Sequence, residues 1–239
     1  SDVCSSDLVK RSREVAAGMS KGIQYLFKKN KVEHVSGFGV VKPGKIVEVT
    51  DDKKKKTEYS ANHIIIATGA RSRELPNLKQ DGKKIIGYRE AMTLEKQPKS
   101  MIVVGSGAIG SEFAYFYNAI GTEVTLVEFM PNIVPLEDAE VSKQLARSFK
   151  KAGIKVMTNA TVESVDTKGK LCKVKIKTKK GEEEKEAEVV LSAVGITTNL
   201  ENLGLEDSGI ETESGKIKVN EFYETSVEGY YAIGDIVSG

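Results

Sequence analysis

The sequence predicts an α/β fold, and three observations carry that prediction. Residues 101–128, MIVVGSGAIGSEFAYFYNAIGTEVTLVE, read as strand, glycine turn, helix and strand. A second helical pattern over 138–151, with apolar positions at Val141, Leu145 and Phe149, leads into an apolar run at 154–157, and strands alternating with helices of this length pair in parallel. Three segments that alternate apolar and polar residues, 161–166, 171–178 and 185–191, then read as an antiparallel meander, with the turn Lys179-Lys-Gly181 between the last two. Residues 99–220 are thereby expected to form a three-layer sandwich.

The glycine spacing in the first segment has a mechanical reason. Gly105 permits a tight turn, Gly107 lets the backbone approach a pyrophosphate, and Gly110 lets helix and strand pack closely. Phosphates would sit at the helix N-terminus, where free N–H groups and the helix dipole favour anions. Glu128, at the tip of the second strand, is placed to accept hydrogen bonds from an adenine-ribose 2′-OH. A carboxylate there repels a 2′-phosphate, and Phe129 and Met130 after it bring no arginine to receive one, which favours NAD over NADP. A glycine triplet alone marks only a turn; the flanking strand, helix and acid make this one a dinucleotide site.

Composition narrows the alternatives. With 239 residues, 39% hydrophobic and 29% charged, the chain has the make-up of a soluble globular protein of one large or two ordinary domains. A net charge of +2 with acids and bases interleaved calls for neither nucleic acid nor a membrane surface as partner. No apolar run is long enough to span a bilayer, and the first fifteen residues lack the apolar segment of a signal peptide. Cys4 and Cys172 lie far apart without metal-ligand spacing, so neither a disulfide framework nor a metal site is expected, and a reducing compartment, the cytoplasm, is inferred. His34 and His63, each flanked by strand-like residues, read as structural.

In chain order, residues 1–8 carry no periodicity and are set aside as an unrelated remnant. Residues 9–29 place apolar side chains at helical spacing with Lys and Arg opposite, a surface helix that runs into a short strand at 32–35. Alternating segments at 39–41, 45–50 and 56–60 follow, and the Lys53–Lys56 run reads as a solvated hairpin tip. Residues 62–70, NHIIIATGA, form a buried strand ending in a small-residue turn that gives a bulky ligand access to the backbone. The turn at Pro98 reads as a domain boundary. Beyond Gly195 come a polar loop and a strand pair around Ser214-Gly215. The chain closes on YYAIGD, an apolar strand ending at Gly234 and Asp235, where the acid holds a ligand hydroxyl or caps a following helix.

Ala67-Thr-Gly69, the glycine fingerprint with Glu112 and Glu128, Ala193-Val-Gly195 and Ala232-Ile-Gly234-Asp235 occur in the order and spacing of the flavoprotein disulfide reductases. Within that superfamily the chain resembles the dihydrolipoamide dehydrogenases, most closely in VEFMPNIVPLEDAEVSKQLARSFKKAGIKV. The resemblance implies a Rossmann-like NAD-binding domain over 99–220, part of an interrupted FAD-binding domain over 9–98, and a return into that domain over 221–239. It implies that Gly105, Ser106, Gly107, Ala108, Ile109 and Gly110 hold the NAD pyrophosphate and Glu128 its ribose. Ile109 would also cover the nicotinamide pocket. Glu112 matches an acid near flavin and nicotinamide, and Val162 and Gly195 match positions lining the NAD site. On the flavin side it implies Gly39, Thr68, Gly69 and Ala70 as FAD contacts and Asp235 as a ligand of the ribityl chain. Ile196-Thr-Thr198 departs from the Arg and Pro that many members carry after the glycine.

The family's FAD-pyrophosphate glycine motif, its cysteine pair separated by four residues and its C-terminal His-Glu pair have no counterpart among these residues. In the intact family a dihydrolipoyl dithiol reduces the disulfide, electrons pass to FAD, and a hydride passes to NAD⁺. The resemblance thus implies a homodimeric oxidoreductase serving a 2-oxoacid dehydrogenase complex through its lipoyl-bearing acyltransferase, with no catalytic residue inside this segment and no lipoamide turnover by it alone. Mercuric reductase and soluble transhydrogenase share the central motifs. A stand-alone, non-catalytic NAD-binding module is the reading from a different class.

Overall fold

The computed structural model describes residues 5–238, which divide into two compact units: residues 5–18 with Ser72–Gly195, and Met19–Arg71 with residues 196–238. Helix α1 (Ser5–Lys29) is followed by β1 (Phe38–Lys42), β2 (Ile46–Thr50), β3 (Lys56–Ser60), β4 (Ile64–Ile66) and β5 (Ala70–Ser72). Next come β6 (Ile85–Ile86), α2 (Tyr88–Ala91), β7 (Ser100–Val104), α3 (Ala108–Ala119), β8 (Glu123–Val127), α4 (Ala139–Ala152) and β9 (Lys155–Met157). The chain continues through β10 (Thr161–Asp166), β11 (Cys172–Thr178), β12 (Gly181–Ala187), β13 (Val189–Ser192) and β14 (Ile196–Thr198). It ends with β15 (Thr212–Glu213), β16 (Lys216–Ile217), β17 (Tyr230–Ala232) and a 3₁₀ turn at Gly234–Ile236.

The first unit is built on a five-stranded parallel sheet in the order β6-β13-β7-β8-β9. Because strand side chains alternate faces, β7 serves two cores. Met101 and Val103 pack with Ala114 and Tyr117 of α3 and Phe149 of α4, whereas Ile102 and Val104 pack with Val174 and Ile176 of the β10-β11-β12 meander. Each fully buried aliphatic side chain contributes roughly 1.5–3 kcal/mol, so this double-faced strand is the axis of the unit. Helix α4 starts where the Asp138 carboxylate accepts the Glu140 N–H at 2.8 Å, and stops at Gly153, whose φ of 91° only glycine adopts freely. Of its three expected apolar anchors, Phe149 is buried and Leu145 half-buried, while Val141 is exposed.

The structure corrects several sequence boundaries. Residues 185–191 are not one meander strand. The third meander strand is β12, whose Glu182, Glu184 and Glu186 stand opposite Lys177, Lys175 and Lys173. That run is charged throughout, so it shows no apolar alternation; cross-strand charge pairing takes its place. Val189–Ser192 then joins the parallel sheet, buried on both faces, as does the two-residue β6. Residues 72–98 accordingly belong with the parallel sheet rather than before the Pro98 turn, and 196–220 belong to the second unit. Residues 32–35 form no strand, and the 62–70 strand is confined to Ile64–Ile66, with Ala70 opening β5. Of the residues set aside at the start, 1–4, with Cys4, lie outside the described residues, and 5–8 open α1.

The second unit holds the sheet β1-β2-β3, the parallel pair β4-β17 and the pairs β5-β14 and β15-β16, and its core gathers Val41, Ile64, Ile66, Leu203, Ile217, Tyr230 and Ala232. The buried Tyr230 hydroxyl is fully used, accepting the Lys45 N–H at 2.8 Å and donating to the Lys42 carbonyl at 2.6 Å. Helix α1 leaves Val15, Met19, Ile23 and Leu26 exposed. None of the described helices is long and apolar enough to cross a membrane.

Among the described residues two buried hydroxyls, Ser192 Oγ and Ser208 Oγ, lack a partner. Ser192 Oγ, at the end of β13, meets no hydrogen-bond acceptor or donor among the described residues. An unsatisfied buried hydroxyl is a net cost, so Ser192→Ala is expected to raise the stability of the first unit by about 1 kcal/mol. An increased urea midpoint would bear this out; a lowered one would show that the hydroxyl is used.

Candidate dinucleotide-binding site

The glycine turn sits at the carboxyl end of β7, where open α/β sheets hold their ligands. Gly105 has φ of 95°, and a β-carbon there would stand 2.3 Å from the Ala193 carbonyl oxygen. At Gly110 a β-carbon would stand 1.9 Å from the Gly105 oxygen and 3.2 Å from the Ala193 side chain. Both are closed to any other residue by backbone. Gly107 is different: it caps the N-terminus of α3, and a β-carbon there would meet nothing within 4 Å. No side chain caps this helix end, and the N–H groups of Gly107, Ala108 and Ile109 find no hydrogen-bond partner among the described residues. Open space over free amides at a positive helix end suits a pyrophosphate.

Glu128 follows β8 and is 3% exposed. Its backbone is pinned on both sides, donating to the Met157 carbonyl at 2.8 Å and accepting from the Ala160 N–H at 2.9 Å. Its carboxylate turns back onto the glycine turn. Oε2 accepts the Ser106 N–H at 2.8 Å and the Ser106 hydroxyl at 2.7 Å, and Oε1 accepts the Met130 N–H at 2.8 Å. Sequence reasoning placed Ser106 in the turn but missed this clasp and the support from Ser111, whose hydroxyl donates to the Ser106 carbonyl at 2.9 Å. A hydroxyl residue between the first two glycines, with a carboxylate ending the next strand, was the available signal.

The other expected residues of this unit are placed as follows. Ile109 is half-buried on the first turn of α3 and Ala108 exposed beside it. Gly195 has φ of 109° with open space where a side chain would be, and the Ala193 that precedes it in the same turn packs on Gly105 and Gly110. Val162 has its side chain in the core beneath the meander, and its carbonyl accepts from the Asn77 amide at 2.7 Å. Glu112 is exposed on α3, one helical turn after Ala108, and borders an apolar groove of about 370 Å³ with Leu94, Phe113 and Phe116. Burial pushes the Cys172 thiol up, which leaves it an inert core residue. Burial likewise raises the Tyr117 hydroxyl to about 12, and it donates to the Ala91 carbonyl at 2.5 Å.

In the second unit, β4 and β17 lie side by side in parallel and end in glycine turns at Gly69 and Gly234, with φ of 65° and 81° and nothing within 4 Å of either missing side chain. Asp235 is exposed in the turn after Gly234. The Thr68 hydroxyl donates to the Asn199 carbonyl at 2.7 Å, and Asn199 returns its amide to the Thr68 carbonyl at 3.1 Å. Arg71 donates to Asn199 and Glu201 and holds the Glu201 carboxyl down at about 2. Ala70 opens β5. Gly39 lies within β1, paired to Val49. Among the described residues no cluster of His, Cys, Asp or Glu is placed to hold a metal.

A two-faced parallel sheet with this turn at its carboxyl end is the architecture of a dinucleotide-binding protein, and the chain belongs to the pyridine nucleotide-disulphide oxidoreductase family, whose model matches residues 3–239. It is 46% identical over 232 residues to the dihydrolipoyl dehydrogenase of Chlorobaculum parvum, covering 97% of this chain and 50% of that protein. It is 42% identical over 244 residues to the dihydrolipoyl dehydrogenase of Rhizobium etli, covering 96% and 51%. Among solved structures it superimposes on LpdA from Mycobacterium tuberculosis with a TM-score of 0.91 at 30% identity, over 99% of this chain and 52% of that one. The chain spans about half the length of the curated relatives it matches.

Proposed function

We propose that this chain is the NAD-binding domain, with part of the FAD-binding domain, of a dihydrolipoyl dehydrogenase. The longer protein would oxidise protein-bound dihydrolipoamide through a disulfide and FAD, delivering a hydride to NAD⁺. The observation that carries this reading is the open backbone at Gly107 over the free amides of α3, beside the held carboxylate of Glu128. The amides of Gly107, Ala108 and Ile109 would hold the pyrophosphate, and Glu128 Oε1, with capacity beyond the Met130 N–H, would accept the ribose hydroxyl. Ile109, Glu112 and Gly195 keep, on family resemblance, the nicotinamide end. NAD, when bound, supplies the hydride acceptor. Gly69, Gly234 and Asp235 are the residues of the second unit assigned to FAD, with Thr68 and Ala70 contributing to the same turn.

Partners follow from the same reading: a second copy of the longer protein, and the lipoyl-bearing acyltransferase of a 2-oxoacid dehydrogenase complex, in the cytoplasm. The relatives' shared name favours this over mercuric reductase or transhydrogenase chemistry. Cys4 and Cys172 form no closely spaced pair, so dithiol exchange would be carried by residues outside these 239.

Fluorescence titration with NADH and NADPH tests the proposal. The chain is expected to bind NADH at least about tenfold more tightly, and Glu128→Arg to erase that preference by exchanging a repelling charge for an attracting one. Equal affinity for both cofactors in the parent chain would overturn the assignment of Glu128.

A further inference from the structure

Ser106, at a position the glycine pattern leaves free, is wholly buried and is the hub of the turn. Its N–H and hydroxyl both go to Glu128 Oε2, and its carbonyl accepts from the Ser111 hydroxyl at 2.9 Å and the Val134 N–H at 3.0 Å. Val134 itself has φ of 40°, a strained conformation for a β-branched residue, and is held by this bond and by Ser142, whose hydroxyl donates to its carbonyl at 3.3 Å. A carboxylate offers about four lone-pair directions. In Glu128 two are filled at Oε2 from the interior and one at Oε1 by Met130, which leaves a single acceptor direction, on Oε1.

We infer that Ser106 is the positioning residue that sets cofactor choice, by holding the Glu128 carboxylate rotated so that only Oε1 can serve a ligand; the inference rests on the NAD reading above. A ribose 2′-hydroxyl can donate to that oxygen, whereas a 2′-phosphate brings negative charge and no proton. The same clasp removes the Ser106 N–H from the anion-facing amides, so the pyrophosphate is left to Gly107, Ala108 and Ile109. Without the Ser106 hydroxyl, the nearly buried carboxylate loses a charge-assisted bond and its fixed orientation. NAD then loses its oriented acceptor, while NADP, which has no proton to donate to that oxygen, loses little.

The test is calorimetric titration of the 239-residue chain with NAD and with NADP, for the parent, S106A, S111A, E128Q and S106A/E128Q, with circular dichroism confirming the fold of each. S106A is expected to weaken NAD roughly tenfold, the worth of one hydrogen bond to a charged group, and NADP less than about twofold, so the ratio falls. S111A loosens the same turn without touching Glu128, so the ratio should stay at the parent value. In the E128Q background, removing the Ser106 hydroxyl should change the ratio by less than about twofold, because coupled residues do not add. An unchanged ratio in S106A, or the same fall in both backgrounds, overturns the inference. If S106A does not fold, Ser106→Cys, of similar size but a weak donor, must show the same direction of change. A parent chain that binds neither dinucleotide brings down the NAD reading itself, a result distinct from binding with a ratio insensitive to Ser106.

Discussion

Gly110→Ala is expected to unfold the first unit or bring it close to unfolding. The added methyl would stand 1.9 Å from the Gly105 oxygen and 3.0 Å from the Gly105 carbonyl carbon, both backbone atoms. The turn cannot yield, because Gly105 is itself pressed on the Ala193 carbonyl and tied by its N–H to the Val127 carbonyl at 2.8 Å. Only a displacement of α3 from β7 relieves the overlap, and that opens the core around Ala114 and Tyr117. Overpacking of this kind costs about 3 kcal/mol or more, a large fraction of a typical domain's 5–15 kcal/mol. The urea midpoint followed by circular dichroism measures it. A midpoint within error of the parent's would mean that helix and strand do not approach as closely as described.

Gly107→Ala is the opposite case, with a large effect on binding and almost none on folding. The position has φ of −62° and nothing within 4 Å of the new methyl. Alanine is a poorer helix cap than glycine, but the cost is below about 1 kcal/mol. The methyl, however, fills the space over the free amides. NAD affinity is expected to fall at least about tenfold with the urea midpoint nearly unchanged. Retained affinity would place the dinucleotide elsewhere on the molecule, whatever the family's habit.

These two glycines also show how much was legible in the sequence. The strand, turn, helix and acid between Met101 and Glu128 could be read because each obeys a local rule: an apolar run, a fixed glycine spacing, a helical pattern. Two corrections share a physical cause, namely that tertiary partners decided what local pattern did not. Ile85–Ile86 is too short to carry a period and is a strand only because β13 pairs with it. The acidic run of β12 becomes a strand because lysines of β11 stand opposite. The Ser106–Glu128 clasp joins residues brought together only by the turn, so the sequence named both and linked neither. The second unit's turns at Gly69 and Gly234 were readable individually, but their adjacency comes from the β4-β17 pairing.

The central claim, that the glycine turn at the head of α3 holds the NAD pyrophosphate, is tested most directly by following backbone amide resonances of the chain during titration with NAD⁺. The account predicts that Gly107, Ala108 and Ile109 shift first and furthest, with Met130 moving as Glu128 takes up the ribose, and that ADP reproduces the pattern because it carries the same pyrophosphate. Saturable shifts confined to other residues, with these amides unmoved, would contradict it.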